Sequence, residues 1–169
     1  QGIKFDDKSS YQKGPKLAPS LIREALNCGS SNMFGENLKS IENSNIIDKG
    51  DFEISDYFDI ENITEKHINS EAKILTLGGD HSITFPIIKA HSKKYPKLDI
   101  LHIDAHSDLY DNYEGDKYSH ACPFARIMEN KLAVKLVQVG IRTLNTHQAE
   151  QAEKFKVEIH QMKNLDLTK

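Results

Sequence analysis

The chain has 169 residues, 38% hydrophobic and 28% charged, with a formal net charge of −3 at pH 7. That length supports a single domain with a proper buried core, and nothing in it is basic enough for a nucleic-acid surface. No apolar run reaches the roughly 18 residues of a membrane span, and no charged stretch before an apolar one reads as a signal peptide; the two distant cysteines, Cys28 and Cys122, build neither a zinc ribbon nor a disulfide framework and point to a reducing cytoplasm.

Residues 1–17 read as a loop, polar through Asp6-Asp7-Lys8-Ser9-Ser10-Tyr11 and turning at Gly14-Pro15. A helix is predicted from near Pro19, with Leu21, Ile22, Ala25 and Leu26 at helical spacing, to Cys28-Gly29. Residues 27–45 are mostly polar loop, Asp48-Lys49-Gly50-Asp51 is a turn, Phe52-Glu53-Ile54 a short strand and Ile60 to Ala72 a helix. Asn62-Ile63-Thr64 matches a glycosylation sequon, a chance match in a chain so rich in asparagine. The apolar run from Lys73 to Leu77 closes on Gly78-Gly79, and an amphipathic segment follows from Ile83 to Tyr95. Pro96 ends it and leads into a short buried strand, Leu98 to Ile103. Strand, helix and strand make a βαβ unit of the kind that builds parallel sheets. After a polar loop at 112–118, Ser119 is placed to cap a helix through Asn130, with Pro123 in its first turn. Strand Lys135 to Gly140, helix 146–155 and strand 157–160 continue the alternation. There is no internal repeat or linker, so residues 1–169 read as one domain. The abrupt opening at Gln1-Gly2-Ile3 and the charged tail from Leu165 to Lys169 point to a segment of something longer.

The chemistry gathers just after the strand that ends at Ile103. Asp104, His106 and Asp108 follow at every second position, and in extended chain that period puts all three on one face. Carboxylates and imidazole are the donors that suit Mn²⁺, Fe²⁺, Zn²⁺ or Co²⁺, and the carboxyl end of a strand is where open α/β sheets bind ligands. Gly78-Gly79-Asp80-His81-Ser82 closes the preceding strand. Neighbouring strand ends lie about 5 Å apart, which brings His81 into the same cluster, with Asp80 placed to orient an imidazole. The glycines let the backbone turn sharply and approach the ligand-bearing strand. Four donors, two of them carboxylates able to bridge, imply two metal ions sharing a hydroxide, and hydrolysis is the obvious use. Taken singly, each of these residues is an ordinary cap or turn residue; the joint pattern is what carries the metal reading, since buried charges are costly unless paired or metal-bound. His102 shares the triplet's parity but reads as a buried, hydrogen-bonded histidine. His67, His91, His147 and His160 read as surface or packing residues.

These motifs resemble a known family. Gly-Gly-Asp-His-Ser at 78–82 and Asp-Ala-His-Ser-Asp at 104–108 are similar to the first two signatures of the ureohydrolases, the arginase and agmatinase family. Gly2-Ile3-Lys4-Phe5-Asp6, Ser10-Tyr11, Gly14-Pro15, Pro19 and Ile22-Arg23-Glu24-Ala25 resemble its amino-terminal loop and first helix, and Tyr118-Ser119-His120 and Gly140-Ile141-Arg142-Thr143 fit as well. The resemblance implies a three-layer α/β/α fold with a parallel sheet, arginase/deacetylase-like and incomplete at both ends. It also implies two Mn²⁺ ions that hydrolyse a guanidino group to urea and an amine, and a homo-oligomer, trimer or hexamer. By the same resemblance His81, Asp104 and Asp108 hold one ion, while His106 and the bridging Asp104 hold the other. His120 matches a loop histidine that passes a proton to the leaving amine, a duty suited to an imidazole. The family's third signature, Ser-x-Asp-x-Asp, and a later glutamate that contacts the guanidinium are absent here, as is the strand that precedes the opening Gly-Ile. Four of six expected ligands imply weak metal binding and little activity for residues 1–169 alone.

Tyr110 and Thr143 stand where arginases carry polar groups that hold an amino-acid head group, so agmatine is the expected substrate, with Tyr110 a candidate substrate contact; guanidinobutyrate, arginine and formiminoglutamate are the alternatives. Two other function classes compete. One is a truncated family member that serves as a binding or assembly module. The other, a phosphoesterase, needs an arginine clamp, for which Arg126 and Arg142 are the candidates.

Overall fold

A computed structural model describes residues 1–68 and 72–166. The elements in order are β1 (Gly2–Lys4), α1 (Ala18–Leu26), β2 (Asp51–Glu53), α2 (Asp59–Ile68), α3 (Thr84–Lys94), β3 (Asp99–Ile103), α4 (Pro123–Glu129), β4 (Lys135–Ile141), α5 (Thr146–Phe155) and β5 (Glu158–Gln161), with short 3₁₀ turns between them. Every strand pair is parallel. β1 pairs with β2, and β3, β4 and β5 form a second sheet in that order. The predicted α/β architecture with parallel sheets and flanking helices is therefore what the chain forms.

Several elements differ from expectation for identifiable reasons. The opening residues are not all loop: Gly2–Lys4 is held on one side by β2 and on the other by Leu77, through Ile3 N to Leu77 O and Leu77 N to Gln1 O, both 2.9 Å. The strand expected at 73–77 shrinks to that single bridge at Leu77, because β1 is only three residues long and offers no longer ladder. Consequently this segment and β3 are not paired neighbours among the described residues. β3 itself is an edge strand there, and Leu101 and Ile103, expected buried, are 64% and 75% exposed. Helix α4 starts at Pro123 and not at Ser119, because a residue before proline is pushed away from helical geometry, and Cys122 takes φ −122° at the cap. Residues 69–71 of the expected second helix lie outside the described residues, and Ala72 is not helical.

One hydrophobic cluster runs from Ile3 and Phe5 through Ile60, Ile83, Phe85 and Leu109 to Phe124, Ile127, Leu136 and Ala152. Helices α2 and α3 pack together and are laced at the surface by Glu61 to Lys89 and Lys93, each at 2.8 Å. Asn145 begins α5 with a complete capping box, its side chain accepting from Gln148 N while Gln148 reaches back. Among the described residues no helix is long and apolar enough to cross a membrane.

Candidate metal centre

Asp104 stands at the middle of the site. Its N–H donates to Val139 O at 3.0 Å, which anchors the chain leaving β3 onto β4. Gly140 makes the approach possible: its φ is +92°, β4 bulges beside it, and a Cβ there would sit 3.1 Å from Asp104 O. His106 N then donates to Asp104 Oδ1 at 2.9 Å, a turn closed by the aspartate's own side chain. Three imidazoles face the carboxylate. His106 Nδ1 is 3.4 Å from Oδ1, while His102 Nε2 and His81 Nδ1 are 3.4 and 3.6 Å from Oδ2. Asp108 closes the ring with Oδ2 2.6 Å from His81 Nδ1.

The four residues picked out in the sequence thus come into one chain of contacts, His81 and His106 within 4 Å of the Asp104 carboxylate and Asp108 joined to it through His81. They do so by another route than period-two extension, since β3 ends at Ile103 and the triplet is loop. Asp108 takes the left-handed conformation, φ 48°, which Asp tolerates better than most residues, and Phe124 N holds its carbonyl at 3.3 Å. His81 lies in a 3₁₀ turn, His81–Ile83, that opens α3. His106 remains 62% exposed in its side chain and leaves the site open toward solvent.

Asp108, Asp104 and Asp80 make the surroundings of His81 negative. Burial opposes protonation of His81, but the hydrogen bond to Asp108 and the charges of Asp108, Asp104 and Asp80 outweigh it and raise its pKa. Burial works against ionised Asp104 too, yet the His106 N–H and the neighbouring imidazoles hold its pKa below the ordinary carboxylate value. His102 goes the other way, its pKa lowered by burial and by His81. The Asp104 carboxylate with imidazole nitrogens within 4 Å of it, and the Asp108 carboxylate on His81, are donors of the kind that fit a divalent ion of the Mn²⁺ to Zn²⁺ series. Among the described residues His81, His102 and Asp104 offer ligand atoms all within 4.8 Å of one another. His102 is buried, stacked on Phe124 with ring centroids 4.0 Å apart, and hydrogen-bonded by Gln138, as expected of it. Gln138 was not singled out in the sequence; a glutamine in the middle of an apolar strand was the available signal. A cavity of about 440 Å³ adjoins the site, lined in part by Gly78, Asp80, His81 and Asp104.

Asp80 does not orient an imidazole. Its Oδ1 accepts from Ser82 N and Ser82 Oγ and its Oδ2 from Lys8 N and Ser9 Oγ, so it ties the amino-terminal loop to the start of α3. Gly79 likewise approaches Phe5 and not the ligand-bearing strand. Arg126 is no anion clamp, because Nη1 donates to Asp111 O and Lys117 O and Nη2 pairs with Glu129. His120 lies in the turn before α4, with Nδ1 3.0 Å from Lys8 O. Tyr110 follows the triplet; its hydroxyl accepts from Asn145 Nδ2 at 2.5 Å and its ring stacks on His147.

Known proteins resemble this chain in both sequence and fold. The family model described as the arginase family matches residues 1–169. The chain is 41% identical over 176 aligned residues to Arginase 1, mitochondrial, of Arabidopsis thaliana, covering 96% of this chain and 52% of that protein. It is 37% identical to the agmatinase of Blochmanniella floridana, over 84% of this chain and 50% of that protein. The solved arginase of Medicago truncatula superposes with a TM-score of 0.82 at 39% identity, over 97% of this chain and 56% of that one. The chain spans about half the length of the curated relatives it matches. With the matched model running from first residue to last, the chain belongs to the arginase family.

Proposed function

We propose that residues 1–169 carry the larger part of the metal site of a ureohydrolase, within a single domain, which splits a linear guanidino compound into urea and an amine. The observation that carries this is the approach of His81 and His106 to the carboxylate of Asp104, with Asp108 joined to the cluster through its hydrogen bond to His81. His81, Asp104 and Asp108 are assigned to one Mn²⁺, and Asp104 with His106 to a second. When bound, the ions would supply a hydroxide nucleophilic at neutral pH and Lewis-acid stabilisation of developing charge. His120 is assigned the proton transfer: Lys8 O can only accept, so Nδ1 carries the hydrogen and Nε2 is left bare to take up a proton and hand it to the departing nitrogen.

For the substrate we place L-arginine first, because the likeness spanning 96% of the chain is to a protein named arginase. Tyr110 supports this. Its hydroxyl already accepts from Asn145, whose own oxygen is occupied by Gln148 N, so the Tyr110 proton is free to donate to the carboxylate that arginine has and agmatine lacks. Agmatine, expected from the sequence, is the second reading, favoured by the agmatinase relative. Unpaired cysteines suit a reducing compartment, cytosol or organelle matrix. Assembly as a trimer or hexamer belongs to the same reading and is measured by light scattering.

The test is urea release from L-arginine and from agmatine, with and without Mn²⁺, by the full-length protein that contains this span. Mn²⁺-dependent urea from arginine is expected, and urea formed equally well after chelation overturns the proposal. Tyr110→Phe is expected to raise KM for arginine roughly tenfold, about 1.4 kcal/mol, and to leave agmatine turnover little changed. A larger effect on agmatine reverses the choice of substrate. Residues 1–169 alone are expected to bind Mn²⁺ weakly and release little urea.

A further inference from the structure

We infer that His102 is a positioning residue of the centre: a neutral imidazole fixed with its hydrogen on Nε2, which donates to Asp104 and does not itself bind metal. The inference rests on the reading of Asp104 as a metal ligand, and it begins at Gln138. That side chain is fully buried in β4, directly opposite His102 in the β3 and β4 register. Its nitrogen lies 2.6 Å from Ser107 O and 3.0 Å from His102 Nδ1. A backbone carbonyl oxygen can only accept, so Ser107 decides which end of the amide faces it, and that end is the NH₂. The second amide hydrogen then points at His102 Nδ1. A donor opposite Nδ1 requires a lone pair there, since two hydrogens facing each other in a dry pocket cannot be reconciled, and His102 is only 5% exposed. A neutral imidazole bare at Nδ1 carries its hydrogen on Nε2.

Nε2 has no hydrogen-bond partner among the described residues, and Asp104 Oδ2, 3.4 Å away, is the acceptor to which its hydrogen is assigned. Phe124, stacked at 4.0 Å, fixes the plane in which that hydrogen points. A ligating His102 needs the reverse arrangement, with Nε2 bare and the Nδ1 hydrogen given to an acceptor. The acceptor that could serve, Gln138 Oε1, is turned away and unpartnered. The closeness of His102 to His81 and Asp104 is therefore that of a donor. With His102 donating to Oδ2 as inferred and His106 N on Oδ1, each oxygen of Asp104 would keep one lone pair with which it could hold an ion.

Long-range ¹H–¹⁵N correlation spectra of the ¹⁵N-labelled chain distinguish bare from protonated ring nitrogens, and His102→Phe, which keeps the stacking on Phe124, identifies the His102 signals. A bare Nδ1 and a protonated Nε2 are expected without metal, unchanged when diamagnetic Zn²⁺ is added while the His81 signals move. A hydrogen on Nδ1, or a His102 Nε2 that shifts as a ligand with Zn²⁺, overturns the inference. His102→Phe is expected to weaken Zn²⁺ binding 10- to 100-fold, and undiminished affinity also overturns it. A chain that shows the expected tautomer and binds no Zn²⁺ refutes the metal centre and leaves the hydrogen position established.

Discussion

Arg23 and Asp48 form a two-pronged pair, Nε to Oδ2 at 2.7 Å and Nη2 to Oδ1 at 2.9 Å, and Gly50 N adds a third donor to the same carboxylate. Arg23 also pairs with Asp51 and so ties α1 to β2. The Arg23 hydrogen bonds hold the Asp48 pKa down to about 2, against an ordinary value of 3.8. A carboxylate whose pKa is depressed by folding contributes its full stability above the unfolded value and loses it as pH falls toward the folded one. The window is therefore about pH 4 down to about 2. Asp48 is more than half exposed, so the contribution is small. Asp48→Asn is expected to lower Tm slightly at pH 7 and to leave Tm unaffected near pH 2; an equal loss at both pH values, measured by thermal melts, contradicts this. His102 and Gln138 show the limit of residue-level reading: the burial of His102 follows from its place in an apolar strand, while the position of its hydrogen depends on a partner 36 residues away.

The segment 77–82 shows how elements hold the site in place. Asp80 N donates to Phe5 O at 3.0 Å, and a Cβ on Gly79 would stand 1.8 Å from that same oxygen. The amino-terminal loop packed there also carries Lys8, whose carbonyl receives His120. Gly79→Ala must push the two segments apart, an overpacking that costs about 1–3 kcal/mol, and metal affinity is expected to fall with stability because His81 moves with the turn. Gly29, with open space around its Cβ position, provides the control: Gly29→Ala is expected to leave the urea unfolding midpoint nearly unchanged. Equal midpoints for the two variants refute the close-approach argument. At this scale α1, α3 and α5 follow the sequence pattern closely, since apolar spacing and caps act within one element. The Asp-x-His-x-Asp triplet does not: its residues were identifiable as a set, but their placement comes from a side-chain-closed turn at Asp104 and a left-handed Asp108.

Across the whole molecule the exposed apolar strand edge has consequences. Leu101 and Ile103 on β3 and Leu75 beside β1 are 64%, 75% and 75% exposed. β3 pairs with β4 on one side and with no strand among the described residues on the other. An apolar edge of this kind is a template for pairing with another chain. Residues 1–169 in isolation are expected to associate as concentration rises, and the double substitution Leu101→Lys and Ile103→Lys to suppress it. A monomer at every concentration by light scattering removes this expectation.

The sequence by itself determined most of the helices, the parallel α/β class and the family, and it singled out His81, Asp104, His106 and Asp108 as candidate donors, because periodicity, caps and motif spacing are local properties of the chain. The tertiary structure alone decided the strand partners. The run at 73–77 and β3 look like neighbours in a βαβ reading, yet one bridges β1 and the other pairs with β4. It also decided that Asp80 holds a loop and not an imidazole, and which nitrogen of His102 faces Asp104. The physical reason is common to all three. Strand pairing, buried hydrogen-bond partners and proton positions are set by groups that meet only after the chain has folded.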